Sequence, residues 1–291
     1  MYKRRKRRNR LPELPEVETV RRTLKRLVIG KTIDQVTVHL PRIIQEPADI
    51  TEFSTLLRDE TIRDIGRKGK YLLFAFDYWV LVSHLRMEGR YSVVPQNEPM
   101  EKHTHVVFHF TDESELRYRD VRQFGTMELV RPEEVYTKTS VGKLGPEPLS
   151  AEFTKQWLRE QLAHRKTRLK SLLLNQEFLA GLGNIYVDEA LFIAGLHPER
   201  SASDLSRQDV DRLHGAIQST IEQAIAAGGA SVRSYVNGEG EMGMFQLQIN
   251  VYGRAGEPCP NCGRPIQRIV VAGRGTHVCE HCQKRSTAKT R

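Results

Sequence analysis

The sequence predicts an α+β chain of several domains: a strand-rich N-terminal segment, a helical middle and a short cysteine-bearing end. Three observations carry that prediction. Residues 32–130 hold short runs of period-two or continuous apolar character, separated by glycine, proline and charged clusters. Between Ser150 and Gly229 the apolar residues recur at helical spacing instead. Near the end, Cys259-x2-Cys262 and Cys279-x2-Cys282 stand sixteen residues apart.

Length and composition set the bounds. A chain of 291 residues can bury two or three cores, and 28% charged against 39% hydrophobic residues is a globular balance. No run approaches the roughly eighteen consecutive apolar residues of a membrane span. Four cysteines are too few for a disulfide-stapled secreted scaffold of this size. The net charge of +9 is local: Met1 to Leu11 hold seven Lys or Arg and no acid. From Gln246 to Arg291 eight basic residues face only Glu257 and Glu280, and the middle is mildly acidic. The basic leader lacks the apolar stretch of a secretory signal. It fits a nucleic-acid arm, a nuclear-localisation run, a solvated tail or an over-extended translation start.

In chain order, Val17, Val20, Leu24 and Leu27 predict a first helix with Gly30 as its stop. Strands are expected over Thr32 to Leu40, Thr61 to Ile65, Tyr71 to Phe76, Trp79 to Leu85, His105 to Phe110, Glu115 to Tyr118 and Thr126 to Val130. Together they read as an antiparallel sandwich or barrel. Gly142 to Pro148 is rich in breakers and marks a boundary. Phe153, Trp157, Leu158 and Leu162 predict one helix, and Leu169, Leu172 and Leu173 begin another. A long stripe, Val210, Leu213, Ile217, Ile221 and Ile225, starts behind Ser206-x-x-Asp209 and stops at Gly228-Gly229.

The cysteine quartet has zinc-ribbon spacing: a two-residue gap lets one tight turn bring two sulfurs to one ion. Cys259, Cys262, Cys279 and Cys282 would close the coordination shell, making one Zn2+ structural and a large part of the segment's folding energy. Ile266 to Val271 and Thr276 to Val278 can pair as a hairpin, with Gly273-Arg274-Gly275 at its tip. His277 and His281 are expected to be bystanders. Gly181-Leu182-Gly183-Asn184, with Asn184 read as an N-cap, is either a backbone anion site or an ordinary tight turn. Arg165, Lys166, Arg168 and Lys170 either hold phosphates or form a solvated helix face.

Several motifs share one order. They are Pro12-Glu13-Leu14-Pro15-Glu16-Val17-Glu18, Lys68-Gly69-Lys70-Tyr71-Leu72 and His84-Leu85-Arg86-Met87-Glu88-Gly89, then Asp120-Val121-Arg122-Gln123-Phe124-Gly125, GLGNIY and the four-cysteine end. From Pro12 to Gln283 the chain resembles the bacterial formamidopyrimidine-DNA glycosylases. The resemblance implies an N-terminal β-sandwich (12–145), a helix–two-turn–helix domain (146–246) and a zinc-finger β-hairpin (247–291), with duplex DNA in a cleft between lobes. It implies excision of oxidised purines such as 8-oxoguanine and formamidopyrimidines, followed by cleavage of the abasic strand. It further implies a monomeric, cytoplasmic bacterial enzyme with no membrane partner. Leu14, where the oxidised-pyrimidine branch usually has glycine, favours the purine branch.

The chemistry can be read beside the resemblance. Displacing a base at C1′ calls for a nucleophile that also serves as an electron sink, and a terminal secondary amine does both through an iminium. An α-amino group titrates near ~7.7–8.0 and is partly neutral in the cell. The resemblance gives that role to Pro12, proton transfer at the sugar to Glu13 and a nearby cationic role to Lys70; Glu16 matches a further acid. Residues 1–11 are expected to be absent from the mature protein, with the start at Leu11 and its methionine trimmed, because an internal proline nitrogen is an amide. Met87, Arg122 and Phe124 match a wedge that fills the gap left by a flipped base; read alone, Met87 and Phe124 also suit a core. Gln123 departs from the Lys or Arg common in relatives. His103, Lys166, Asn184 and Arg274 are implied as DNA contacts, Arg274 also in the catalytic set, and Ser231 to Tyr235 resemble a mobile lid over the everted base. Two rival expectations remain: an oxidised-pyrimidine glycosylase, or a silent damage-binding protein if Pro12 stays internal.

Overall fold

The computed structural model describes residues 12–230 and 248–285. The leader and the Ser231 to Tyr235 segment lie outside the described residues. The described chain divides into two compact units, residues 12–143 with 228–230, and residues 144–227 with 248–285.

In the first unit, helix α1 (Leu14–Val28) begins inside the Pro12–Glu18 motif: Pro15 sits in the first turn, where a missing N–H costs nothing. Its Val17, Val20 and Leu24 are buried as the spacing predicts, but Val28 takes the fourth buried place and Leu27 is only partly buried against the core. Nine strands follow: β1 (Ile33–Val38), β2 (Ile44–Glu46), β3 (Asp64–Lys68), β4 (Tyr71–Ala75), β5 (Val80–His84), β6 (Arg90–Pro95), β7 (Thr104–Phe110), β8 (Ser114–Arg119) and β9 (Thr126–Val130). Helix α2 (Ile50–Leu57), capped by Asp49 on Thr51 N–H at 2.7 Å, lies between β2 and β3. A four-stranded sheet has the order β1-β7-β8-β6 and a five-stranded one β2-β9-β5-β4-β3. Every pairing is antiparallel except β2 with β9. One continuous core joins α1 to inward residues of both sheets, among them Ile65, Leu72, Phe74, Phe108, Tyr118 and Met127. A short helix α3 (Val135–Lys138) closes the unit.

Strands β2 and β6 and helix α2 are absent from the sequence-based expectation, and β3 lies three residues later than predicted. β6 buries Tyr91 alone, with Ser92, Val93 and Val94 all half-buried, so it carries no period that the sequence could show. β3 ends in Arg67 and Lys68, polar residues that join the sheet because β4 pairs with them through a two-residue turn.

The second unit holds α4 (Lys155–Leu162), α5 (Leu169–Leu173), α6 (Asn184–Ala194), α7 (Arg207–Ala226) and the hairpin β10 (Gln267–Val271) with β11 (Arg274–Val278). The Ser206–Asp209 capping box forms, Ser206 Oγ accepting Asp209 N–H at 3.1 Å. α6 is buried on nearly all sides, so its polar Asp188 and Glu189 must find partners inside. They do so on the hairpin segment. Glu189 accepts N–H groups of Asn250, Val251 and Tyr252 at 2.7, 2.9 and 2.8 Å, which anchors the chain entering the finger.

Candidate functional site

The start of α1 is organised by carboxylates. Glu13 is its N-cap and only 3% exposed, and Pro12 before it is buried. Glu16 Oε2 accepts the Glu13 N–H at 2.9 Å, while Glu16 Oε1 accepts the N–H of Ala230 at 2.7 Å. Glu16 thus splints the Pro12–Glu13 turn to the Ala230 backbone.

Lys70 lies in the turn between β3 and β4. A relay ties that turn to α1. Glu18 accepts from Arg21 at 2.8 Å, Arg22 at 2.7 Å and Arg67 at 3.1 Å, and Arg67 donates to the Gly69 carbonyl at 2.9 Å. Burial alone would raise the Glu18 pKa, but the three guanidinium bonds outweigh it and hold it at about 2. The positive charge of Lys70 reaches His84. Burial first, then Arg86 and Lys70, push the His84 imidazole down to about 3, so it stays neutral. Its Nδ1 accepts Arg86 N–H at 2.9 Å and so shapes the entry to the Met87 loop.

The two loops expected to act as a wedge meet at Tyr118. A Cβ on Gly89 would lie 2.3 Å from the Tyr118 hydroxyl oxygen, and one on Gly125 1.7 Å from it. Only glycine lets both loop ends close on that buried ring. Asp120, fully buried, gathers the second loop: its carboxylate accepts the N–H groups of Arg122, Phe124 and Gly125 at 3.0, 2.8 and 2.9 Å. What this cradle presents is outward. Phe124 is 51% exposed, with the Arg122 guanidinium 4.9 Å from its ring centre. Met87 is half-buried and outside the core cluster. His103 adjoins the same loop, its carbonyl accepting Asp120 N–H at 3.1 Å.

In the second unit the basic run divides. Arg165, Lys166 and Arg168 are exposed. Lys170 is fully buried, so it is no surface phosphate contact: Nζ donates to Asp188 Oδ1 at 2.6 Å and to Thr276 Oγ1 at 2.8 Å. Thr276 Oγ1 in turn donates to the Arg274 carbonyl at 3.0 Å, and Asp188 Oδ2 accepts His277 N–H at 2.9 Å. These bonds fix the strand that carries the exposed Arg274. Asn184 differs from its expected place. Gly183 is the N-cap and Asn184 the first helical residue, its Nδ2 donating to the Gly275 carbonyl at 2.9 Å.

The cysteines converge. All four sulfurs lie within 4.8 Å of one another, with Cys259–Cys282 at 3.8 Å and Cys262–Cys279 at 3.6 Å. Tetrahedral zinc with Zn–S near 2.3 Å requires sulfur–sulfur edges of about 3.8 Å. The set therefore fits one structural zinc, backed by Phe192, Val251 and Ile266.

Sequence alone assigns no role to Asp188, Glu189, Arg67 or Tyr118, and it places Asp120 in a motif without showing what its carboxylate does. Asp188, Glu189 and Arg67 act on partners far along the chain, Asp120 gathers backbone amides of its own loop, and none of these bonds leaves a spacing signal.

Comparison with known proteins matches the architecture segment by segment. Residues 11–127 match the formamidopyrimidine-DNA glycosylase N-terminal domain, residues 144–236 the H2TH domain of that glycosylase, and residues 256–285 a zinc finger found in FPG and IleRS. The formamidopyrimidine-DNA glycosylase of Brevibacillus brevis is 58% identical over 268 residues, covering 92% of this chain and 97% of that one. The Bacillus subtilis protein of the same name is 55% identical over 267 residues, again 92% and 97%. A crystal structure of Lactococcus lactis Fpg (MutM) with DNA containing N7-benzyl-Fapy-dG superimposes with a TM-score of 0.88 at 42% identity, covering 94% of this chain and 100% of that one. Another Lactococcus lactis Fpg structure, with DNA containing an oxidised pyrimidine, matches at a TM-score of 0.87, with the same identity and coverage. With its sandwich, helical and four-cysteine segments all matched, and relatives above half identity along nearly their whole length, the chain belongs to the formamidopyrimidine-DNA glycosylase family.

Proposed function

We propose that this chain removes oxidised purines, 8-oxoguanine and formamidopyrimidines, from duplex DNA and then cleaves the abasic strand by β,δ-elimination. Once its nitrogen is freed from residues 1–11, Pro12 is the nucleophile: the secondary amine bonds to C1′ as the base leaves, and the C1′–O4′ bond then opens to give an iminium that acidifies C2′ for elimination. Glu13, shielded from bulk water beside it, moves protons at the sugar. Lys70 supplies a positive charge that favours the neutral amine and binds a flanking phosphate. Met87, Arg122 and Phe124 fill the vacated stack, and His103, Lys166, Asn184 and Arg274 bind backbone phosphates. Zinc carries no chemical step; held by Cys259, Cys262, Cys279 and Cys282, it keeps the Arg274 hairpin folded.

The supporting observation is the wedge platform, where one buried tyrosine and one buried aspartate brace two loops so that an aromatic and a guanidinium face outward. Among the described residues no helix is long and apolar enough to cross a membrane. We place the protein with the DNA in the bacterial cytoplasm, acting as a monomer.

The test compares excision from matched duplexes carrying 8-oxoguanine or thymine glycol. Faster release of 8-oxoguanine supports the purine reading. Faster release of thymine glycol would support the pyrimidine reading, which the Lactococcus lactis Fpg complex with an oxidised pyrimidine keeps open. Binding without release of either base would mean a damage-binding protein.

A further inference from the structure

We propose that Arg42 is a DNA-phosphate contact of the wedge loop, held in place by Gln123; the inference rests on the wedge reading above. The parallel pairing of β2 with β9 sets up the contact. Ile44 pairs with Met127, so the segments that precede the two strands, the Pro41–Ile43 turn and the Arg122–Gly125 loop, run side by side. There an Arg42 terminal nitrogen donates to Gln123 Oε1. The backbone of Gln123 is left-handed, φ 57°, an uncommon conformation for a residue with a long side chain. Its N–H is held by the Asp120 carbonyl at 3.3 Å. Such a backbone persists where its surroundings impose it, and it directs the carboxamide to Arg42.

The rest of the guanidinium is available. Arg42 is exposed, and among the described residues it pairs with no carboxylate. Several other arginines of this unit are committed to carboxylates: Arg63 to Asp77, Arg90 to Glu101, Arg21 and Arg22 to Glu18. A planar cation with one edge fixed by an amide and the other facing solvent suits a phosphate, which it can meet with two parallel N–H bonds. Arg42 and Arg122 then flank Gln123 as two cations with separate tasks, Arg122 against the ring of Phe124 and Arg42 on the backbone of the bent strand.

The experiment measures the affinity of the full chain for a duplex carrying a tetrahydrofuran abasic-site mimic across a salt series. Removing one phosphate contact lowers the slope of log K against log salt by about 0.9. Arg42→Ala should do this and weaken binding roughly fivefold at moderate salt. Arg42→Lys should keep the slope, because the charge remains, while losing part of the affinity. Adding Gln123→Arg to Arg42→Ala should restore the slope by returning a guanidinium to the same place. An Arg42→Ala protein with the wild-type slope would overturn the assignment, since a merely structural role would not alter counterion release. A wild-type protein that does not prefer the abasic mimic to intact duplex would instead sink the wedge reading itself.

Discussion

The carboxylate of Glu16 bridges two distant backbone amides, Glu13 N–H at 2.9 Å and Ala230 N–H at 2.7 Å. The turn that carries the proposed nucleophile is thereby tied to a segment more than two hundred residues later. Both amides are buried with it, so an apolar replacement strands two donors. Glu16→Ala is expected to lower unfolding free energy by about 2 kcal/mol or more, read from urea denaturation. It should also slow base excision more than it weakens binding to abasic DNA. An unchanged urea midpoint would mean the bridge holds nothing.

Glu18 makes a pH prediction with a definite sign. Its carboxyl is held near 2 in the folded chain against an ordinary value of 4.5. Ionised Glu18 therefore stabilises the fold fully above about pH 4.5, and that contribution is lost as pH falls toward 2. The difference is of order 2–3 kcal/mol. Glu18→Gln should flatten the acid limb of the stability profile. Because Arg67 would lose its anchor, it should also loosen the Gly69–Lys70 turn and slow the step that depends on Lys70.

The wedge brace predicts a rescue. Gly125→Ala would drive a methyl to within 1.7 Å of the Tyr118 oxygen, and overpacking of this kind costs about 1–3 kcal/mol or more. Tyr118→Phe removes that oxygen and should recover part of the loss in the double variant, both in melting temperature and in affinity for abasic DNA. Equal stability of the Gly125→Ala single variant would show that the two loops do not close on Tyr118.

Zinc removal should act beyond the finger. Loss of the ion frees β11, and with it Thr276, from the fully buried Lys170–Asp188 pair. An ion pair left in an apolar interior with fewer partners is strongly destabilising. Chelation, or Cys259→Ser, is expected to lower the melting of the helical segment as well as to abolish tight DNA binding. Lys170→Met should reproduce the affinity loss with zinc still bound, measured by metal content. Full affinity in that variant would detach Lys170 from the placement of Arg274.

Much of this architecture is legible in the residues. The α1 stripe, the α7 capping box, β9 and the cysteine hairpin follow from periodicity, caps and spacing, all of which are local signals. β2 does not, because three residues carry no period and the strand exists through its partner β9. The same division runs through the site. Pro12, Glu13, Lys70 and the cysteines stand in recognisable motifs, whereas Arg67 and Asp188 matter through bonds to residues distant in sequence, and Asp120, though inside a motif, through backbone amides that no residue pattern reveals. Lys170 shows the reverse failure: within a run of cations it reads as surface, yet Asp188 inside α6 draws it into the interior.

The proposed reaction turns on a covalent bond from the Pro12 nitrogen to deoxyribose. Borohydride reduction during turnover on an 8-oxoguanine duplex, followed by digestion and mass spectrometry of the DNA-linked peptide, tests it directly. The expected product is a peptide that begins at Pro12 with the sugar remnant on its ring nitrogen. A linked peptide that still carries residues ahead of Pro12, or one joined through a lysine, would contradict it.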